Sequence, residues 1–212
     1  MIFSLYTSQF IGHQLSLAIE SEDIDTLKSV EIPIGLNLSS PLRKAVHVEY
    51  PDAVIFLAEK GAEIKHLPEE ERCYVYRILA NHYIETGNQQ ALLKMLDQGE
   101  IDVDEEIKSF EAISSNALPD RLLHTSIKNK QEEIALSLIE RGSNMNIPNW
   151  HWTPMGLALS RGCFSVVRAL HARGIPIIGN LERKHHRSYA AQLFFQENPF
   201  DWEKTVFFYK RG

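Results

Sequence analysis

The sequence predicts an all-α chain, an array of helix pairs stacked as a repeat solenoid, with short hairpin connections and a helical cap at its C-terminal end. Three observations predict it. Windows 40–64, 121–145 and 153–177 align on their closing glycines, and Pro41 and Gly61, Leu122 and Gly142, Pro154 and Gly174 each lie 20 residues apart. Apolar residues within the windows recur at helical rather than alternating spacing. A small residue stands at one shared offset, as Ala45, Ser126 and Ala158. Self-similarity of this length is the mark of a unit that buries its apolar face only by stacking on neighbours.

Each element has a local reason. Segment 14–34 offers an opening helix (LSLAI) and a second (IDTLKSV) with no closing glycine, so it reads as a degenerate N-terminal cap. Ser40-Pro41 and Thr153-Pro154 read as helix starts: a hydroxyl accepts a bond from an early N–H, and proline at the first helical position loses no bond. Gly87-Asn88, Asn129-Lys130 and Gly162 supply tight helix–helix turns. The second helices carry apolar stripes: Val54, Phe56 and Leu57; Leu92, Leu93 and Leu96; Ile134, Leu138 and Ile139; Val166, Val167 and Leu170. Gly61, Gly99, Gly142 and Gly174 close them. The steps between these glycines are 38, 43 and 32 residues, so the middle of the chain needs longer connections. The expected repeats are 13–37, 39–66, 73–104, 120–148 and 152–178, an array over 1–178. Segment 179–212 is expected to cap it: 189–195 is helix-like, Asn198-Pro199 breaks it, and Trp202, Val206, Phe207, Phe208 and Tyr209 read as a lid or an exposed docking patch.

Thr153-Pro154-Met155-Gly156-Leu157-Ala158, Ser40-Pro41-Leu42-Arg43-Lys44-Ala45 and Leu123-His124, with the closings Gly61-Ala62-Glu63-Ile64 and Gly142-Ser143-Asn144-Met145-Asn146, resemble the ankyrin repeat. That family opens Thr-Pro-Leu-His-x-Ala and closes Gly-Ala-Asp-x-Asn, and the resemblance covers roughly 13–178. It departs where glycine or arginine replaces the histidine, and where 74–99 lacks the opening. The resemblance implies β-hairpin connections, and a partner bound by hairpin tips and the inner, first-helix face.

Composition excludes other classes. With 44% hydrophobic and 24% charged residues the chain is an ordinary globular one. The net charge of −6 is uneven: 1–160 carries 13 Lys+Arg against 24 Asp+Glu, and 161–212 carries 9 against 4. An acidic body argues against nucleic acid. No run of about 18 apolar residues is present, so no membrane span is expected. Two cysteines cannot form a disulfide framework, and no secretory signal is visible, so the cytoplasm is expected, or a host-cell interior for a delivered protein.

Catalytic signals are absent from the sequence. There is no phosphate loop, no G-x-S-x-G and no H-E-x-x-H. His185-His186 points two ways on a helix and chelates poorly. Cys163 lacks a base in reach, with His171 two turns away, and Cys73 has no evident base either. Run 97–111 holds seven carboxylates but lacks the glycine of a calcium loop, and reads as a solvated linker or an acidic binding edge. No catalytic residue, metal or cofactor is expected. The expected function is binding of a protein partner, basic given the acidic body, with the oligomeric state open. Trp150 and His151 in the connection 144–152 are the candidate tip anchors, with Lys44, His82, Lys128 and Arg161 on first helices. Trp152, just before Thr153, is expected half buried. Basic Arg183, Lys184 and Arg187 read as a solvated face or a site for an acidic partner. Two alternatives are a bacterial effector or immunity protein that modulates a target enzyme, and an enzyme whose site lies in 64–121. The latter requires polar residues converging in a cleft.

Overall fold

The computed structural model describes residues 2–107, 120–146 and 153–176, the first six of these by backbone alone. The chain is mostly helical among them. Five helix pairs follow in order: α1 (Ile2–Glu20) and α2 (Ile24–Ser29); α3 (Ser39–His47) and α4 (Pro51–Glu59); α5 (Glu69–Glu85) and α6 (Gln89–Asp97); α7 (Leu122–Lys128) and α8 (Glu132–Glu140); α9 (Pro154–Arg161) and α10 (Phe164–Ala172). Two short strands, β1 (Glu106–Ile107) and β2 (Asp120–Arg121), pair antiparallel between the third and fourth pairs, with Glu106 opposite Arg121 and Ile107 opposite Asp120. First helices stack in sequence, α1 on α3, α3 on α5, α5 on α7 and α7 on α9; α2 packs on α4 and α8 on α10. Trp150, His151, Trp152 and the 179–212 cap lie outside the described residues.

The repeat is written in the backbone more regularly than in the side chains. Each turn within a pair carries one left-handed residue: Glu22, Glu49, Gly87, Lys130 and Gly162, with φ of 52°, 53°, 71°, 57° and 75°. The amide after it bonds to the carbonyl five residues back: Asp23 to Ala18, Tyr50 to Ala45, Asn88 to Tyr83, Gln131 to Ser126 and Cys163 to Ala158, at 2.7–3.0 Å. Three of these turns use glutamate or lysine: the one at Lys130 falls on the expected Asn129-Lys130, while those at Glu22 and Glu49 carry no such turn signal. The second helices α4, α6, α8 and α10 end alike, on Gly61, Gly99, Gly142 and Gly174 with φ of 66–88°. α2 stops instead at an extended Val30, in keeping with its missing glycine.

Caps hold in part. Thr153 caps α9, its Oγ1 accepting from the Gly156 amide at 3.1 Å. Ser40 does not cap α3: the helix starts at Ser39, and Asn37 Oδ1 takes the Ser39 amide at 2.8 Å. With the start at Ser39, Ser40 lies inside the first turn of α3, and its hydroxyl makes no cap bond.

The core is one continuous cluster running the length of the stack. Ala18, Ala45, Ser126 and Ala158 are at most 2% exposed, the close-approach positions of four pairs. In the third pair the equivalent residue is Tyr83, half buried. A phenol cannot sit where the alanines sit. This pair is also the one whose first helix runs to 17 residues, against seven to nine in α3, α7 and α9.

Over its described part the acidic run is paired at several points while Asp97, Asp102 and Glu106 stay exposed to water. Asp97 pairs with Arg141 at 2.6 Å, Glu105 with Arg77 at 2.6 Å and Glu106 with Arg121 at 2.9 Å. Asp104 accepts from Ser143 Oγ and the Asn144 amide at 3.0 and 2.8 Å, and Glu100 from the Tyr76 hydroxyl at 3.2 Å. Asp97, Asp104 and Glu106 tie the third pair to the fourth, while Glu100 and Glu105 fasten the connection back onto α5.

Candidate functional site

Two surfaces hold the candidate chemistry, one on the first helices and one between second helices. Along α3 and α5, Arg43 grips Glu71 through two bonds of 3.0 Å, and His47 lies 3.5 Å from the same carboxylate. Lys44 pairs with Glu20 of α1. The Arg43 guanidinium is held further above its ordinary range by Glu71. Arg43, His47 and Arg77 keep half or more of their side-chain surface in water. A cleft lined by Asn37, Ser40, Arg43 and His47 opens here. At Asn37 it meets the connection tip, where Leu36 N–H bonds to the Pro33 carbonyl and Gly35 takes φ of 83°. Ile34 at that tip is fully exposed.

The sequence-predicted residues are dispersed. Lys44 lies on this surface. His82 is on α5 but turns to Glu59 of α4, at 3.7 Å, with its ring against Tyr83. Lys128 ends α7 and pairs with the nearly buried Asp120 at the start of the same pair. Arg161 is exposed at the end of α9. Before these last turns, α7 is buried from Leu122 to Ile127 and α9 from Pro154 to Leu159. Among the described residues the first helices of the fourth and fifth pairs are therefore closed up to their last turns, whereas those of the first three pairs present side chains in mid-helix, Phe10 and Leu17 of α1 among them. Sequence reading missed Arg43, His47 and Ile34. The signal for Arg43 was its place at the usual histidine of the repeat opening. The histidine there in the fourth pair, His124, is 1% exposed, whereas a long arginine carries its charge out to water.

The second surface lies in the divergent middle. A cleft of 510 Å³ separates α4 from α6, floored by Leu79, Tyr83 and Met95 and walled by Lys65 and Lys94. Among the described residues no hydrogen bond or ion pair joins α4 to α6. Tyr83, standing where other pairs have a small residue, lines this cleft. Of the α6 stripe, Leu92 is buried, while Leu93 and Leu96 are only half buried. Burial, and then Glu59 and Glu100, raises the Tyr83 phenol; burial and Glu100 push Tyr76 up to about 12.

Cys163 is 1% exposed, its Sγ directed at the Ile127 carbonyl at 3.8 Å, and burial pushes the thiol up to about 11. It is a packing residue. Cys73 is exposed on α5. Among the described residues no group of three or more His, Cys, Asp or Glu side chains is placed to hold a metal, and no helix is long and apolar enough to cross a membrane.

The helix-pair repeat defines a class, the all-α repeat stack. Solved structures similar to this chain are ankyrin repeat domains. That of human ASB11 is 14% identical, with 87% of this chain and 97% of that one covered at a TM-score of 0.46. That of Bcl-3, described as a unique member of the IkappaB protein family, is 21% identical, with 77% and 72% covered at a TM-score of 0.36. No protein-family model matches the sequence, and no curated protein matches it.

Proposed function

We propose that this chain is a protein-binding module without catalysis of its own, which receives a protein partner along its connection tips and first helices. The observation that carries the reading is Ile34, wholly exposed at a tip that adjoins the charged surface of Arg43 and His47. A large apolar side chain beside a charged rim is the make-up of a binding anchor. The stack supports that surface from beneath, so little ordering entropy is lost on binding. Lys44 belongs to the same surface. Trp150 and His151 would extend it along the tips of later pairs, with His82, Lys128 and Arg161 at first-helix ends.

The test is quantitative affinity capture from native lysate with the wild-type chain, Ile34→Asp, Arg43→Glu and Trp150→Ala. A single partner lost at least tenfold in Ile34→Asp and in one of the other two supports the reading, provided helical circular dichroism and melting are unchanged. A partner set indifferent to all three, or losses that follow unfolding, overturns it. Arg183, Lys184 and Arg187 are then the next residues to change.

A further inference from the structure

The two ends of the stack differ. α9, the first helix of the last described pair, is buried from Pro154 to Leu159. α1, the first helix of the first pair, packs on α3 and α2 and leaves a long strip in water. Gln9, Phe10, His13, Gln14 and Leu17 are exposed along it, Phe10 by 61% and Leu17 by 51%. Phe10 and Leu17 stand two helical turns apart on one face, with His13 and Gln14 between them. α1 also carries no charge before its last residue: all 22 Lys+Arg and 28 Asp+Glu of the chain lie from Glu20 onward. Glu20 itself pairs with Lys44 of α3. The terminal unit of a repeat stack stays soluble by itself through a polar outer face. A surface helix sets charged residues opposite its apolar stripe. α1 does neither.

We propose that α1 is a self-association surface: two copies of this chain pair their α1 helices antiparallel, about a two-fold axis near His13 and Gln14. Phe10 of each copy packs on Leu17 of the other, as a two-fold contact requires. Charge selects the occupant and its direction. The other first helices all carry Lys or Arg, so any of them would bring a charge onto an apolar strip with nothing to answer it. A second α1 brings none. Parallel pairing would set the two Glu20 carboxylates side by side, whereas antiparallel pairing sends them to opposite ends. A bilayer surface is the poorer match, because α1 has no Lys or Arg to face lipid headgroups and the body behind it is acidic. Area sets the strength. The 19 residues of α1 span about 28 Å, and a strip of that length against its copy buries roughly 1,000 Å² in all, the low end for a specific interface. The dimer is accordingly weak and reversible. This goes beyond the tip reading: neither cleft at the connection tip is lined by a residue of α1.

Sedimentation velocity of the full chain over a hundredfold range of concentration reads the association. Monomer is expected to give way to dimer in the micromolar range. High salt does not dissociate it, since the contact holds no ion pair to screen. Phe10→Glu and Leu17→Glu, both at exposed positions, each weaken the dimer at least tenfold and leave helical circular dichroism unchanged. Ile34→Asp and Arg43→Glu dimerise as the wild type does. Single cysteines in a Cys73→Ser background read the direction. Gln14→Cys forms an inter-chain disulfide on mild oxidation, because its two copies flank the axis. Ser21→Cys does not, because its copies lie about 20 Å apart along the helices. The proposal is overturned if the chain stays monomeric throughout, if Phe10→Glu and Leu17→Glu dimerise unchanged, or if Ile34→Asp abolishes the dimer. Crosslinking through Ser21→Cys and not Gln14→Cys overturns the antiparallel pairing. A monomer that binds phosphatidylcholine vesicles through Phe10 and Leu17 overturns it too, and marks α1 as a bilayer contact. A monomer leaves the tip reading standing, since partner capture tests that reading separately.

Discussion

Replacing Ala158 by leucine tests the stacking register directly. Ala158 is wholly buried on α9, and its carbonyl accepts the Cys163 amide at 3.0 Å. Leucine adds three carbons. Were there room, their burial would stabilise by about 0.8 kcal/mol each, some 2.4 kcal/mol in all. The site has no exposed surface to grow into, and α9 lies against α7 on one side and α10 on the other. Strain therefore wins, and the expected net loss is about 1–3 kcal/mol. In a chain of this length that lowers the melting temperature by about 2–12 °C. Tyr83 supplies the internal control: it holds the equivalent place in the third pair, half buried over the cleft. Tyr83→Trp is expected to change stability by no more than about 0.5 kcal/mol. Urea titrations followed at 222 nm read both variants. An unchanged or raised midpoint for Ala158→Leu refutes the reasoning, and so does a Tyr83→Trp loss as large as that of Ala158→Leu.

The other predictions concern turns, caps and pH. Lys130 sits at φ of 57°, which costs a side-chain-bearing residue about 1–2 kcal/mol against glycine's entropic cost of about 0.5–1 kcal/mol, so Lys130→Gly is expected to raise the urea midpoint and Gly162→Ala, at φ of 75°, to lower it. Thr153→Ala removes the cap of α9 and is expected to lose about 1 kcal/mol, while Ser40→Ala stays within about 0.5 kcal/mol; equal losses would mean that Ser40 caps α3 after all. The Cys163 thiol is raised from 9.0 to about 11, so above pH 9 the unfolded chain releases a proton that the folded chain retains. Stability is accordingly full below pH 9 and falls as pH rises toward 11, more steeply in the wild type than in Cys163→Ala, as melting curves from pH 8 to 11 would read. Thiol alkylation of the native chain at pH 8 is expected to label Cys73 and spare Cys163 until the chain unfolds.

Local chemistry made the helix pairs legible. Pro154, Thr153 and the four closing glycines act within a few residues of themselves, so their meaning survives without the fold, whereas Pro41 stands third in α3 rather than first. The turns at Glu22 and Glu49 were less legible: stacking holds these residues left-handed against their own preference, and no local signature records that. The pairing of the acidic run was illegible because its partners are remote. Its partners, Arg141, Ser143, Asn144, Arg77 and Arg121, lie from 15 to 44 residues away.

The sequence by itself determined that this chain folds as stacked helix pairs, because period, caps and glycines are short-range and each pair must share its apolar face with the next. Which faces remain open was decided only by tertiary structure. Lys44, Lys128 and Arg161 read alike in sequence, yet α3 stands open while α7 and α9 are buried to their last turns. The cleft between α4 and α6, lined by Tyr83 where four other pairs have alanine or serine, is likewise invisible in sequence, since a gap between two helices is a property of both and of what lies between them.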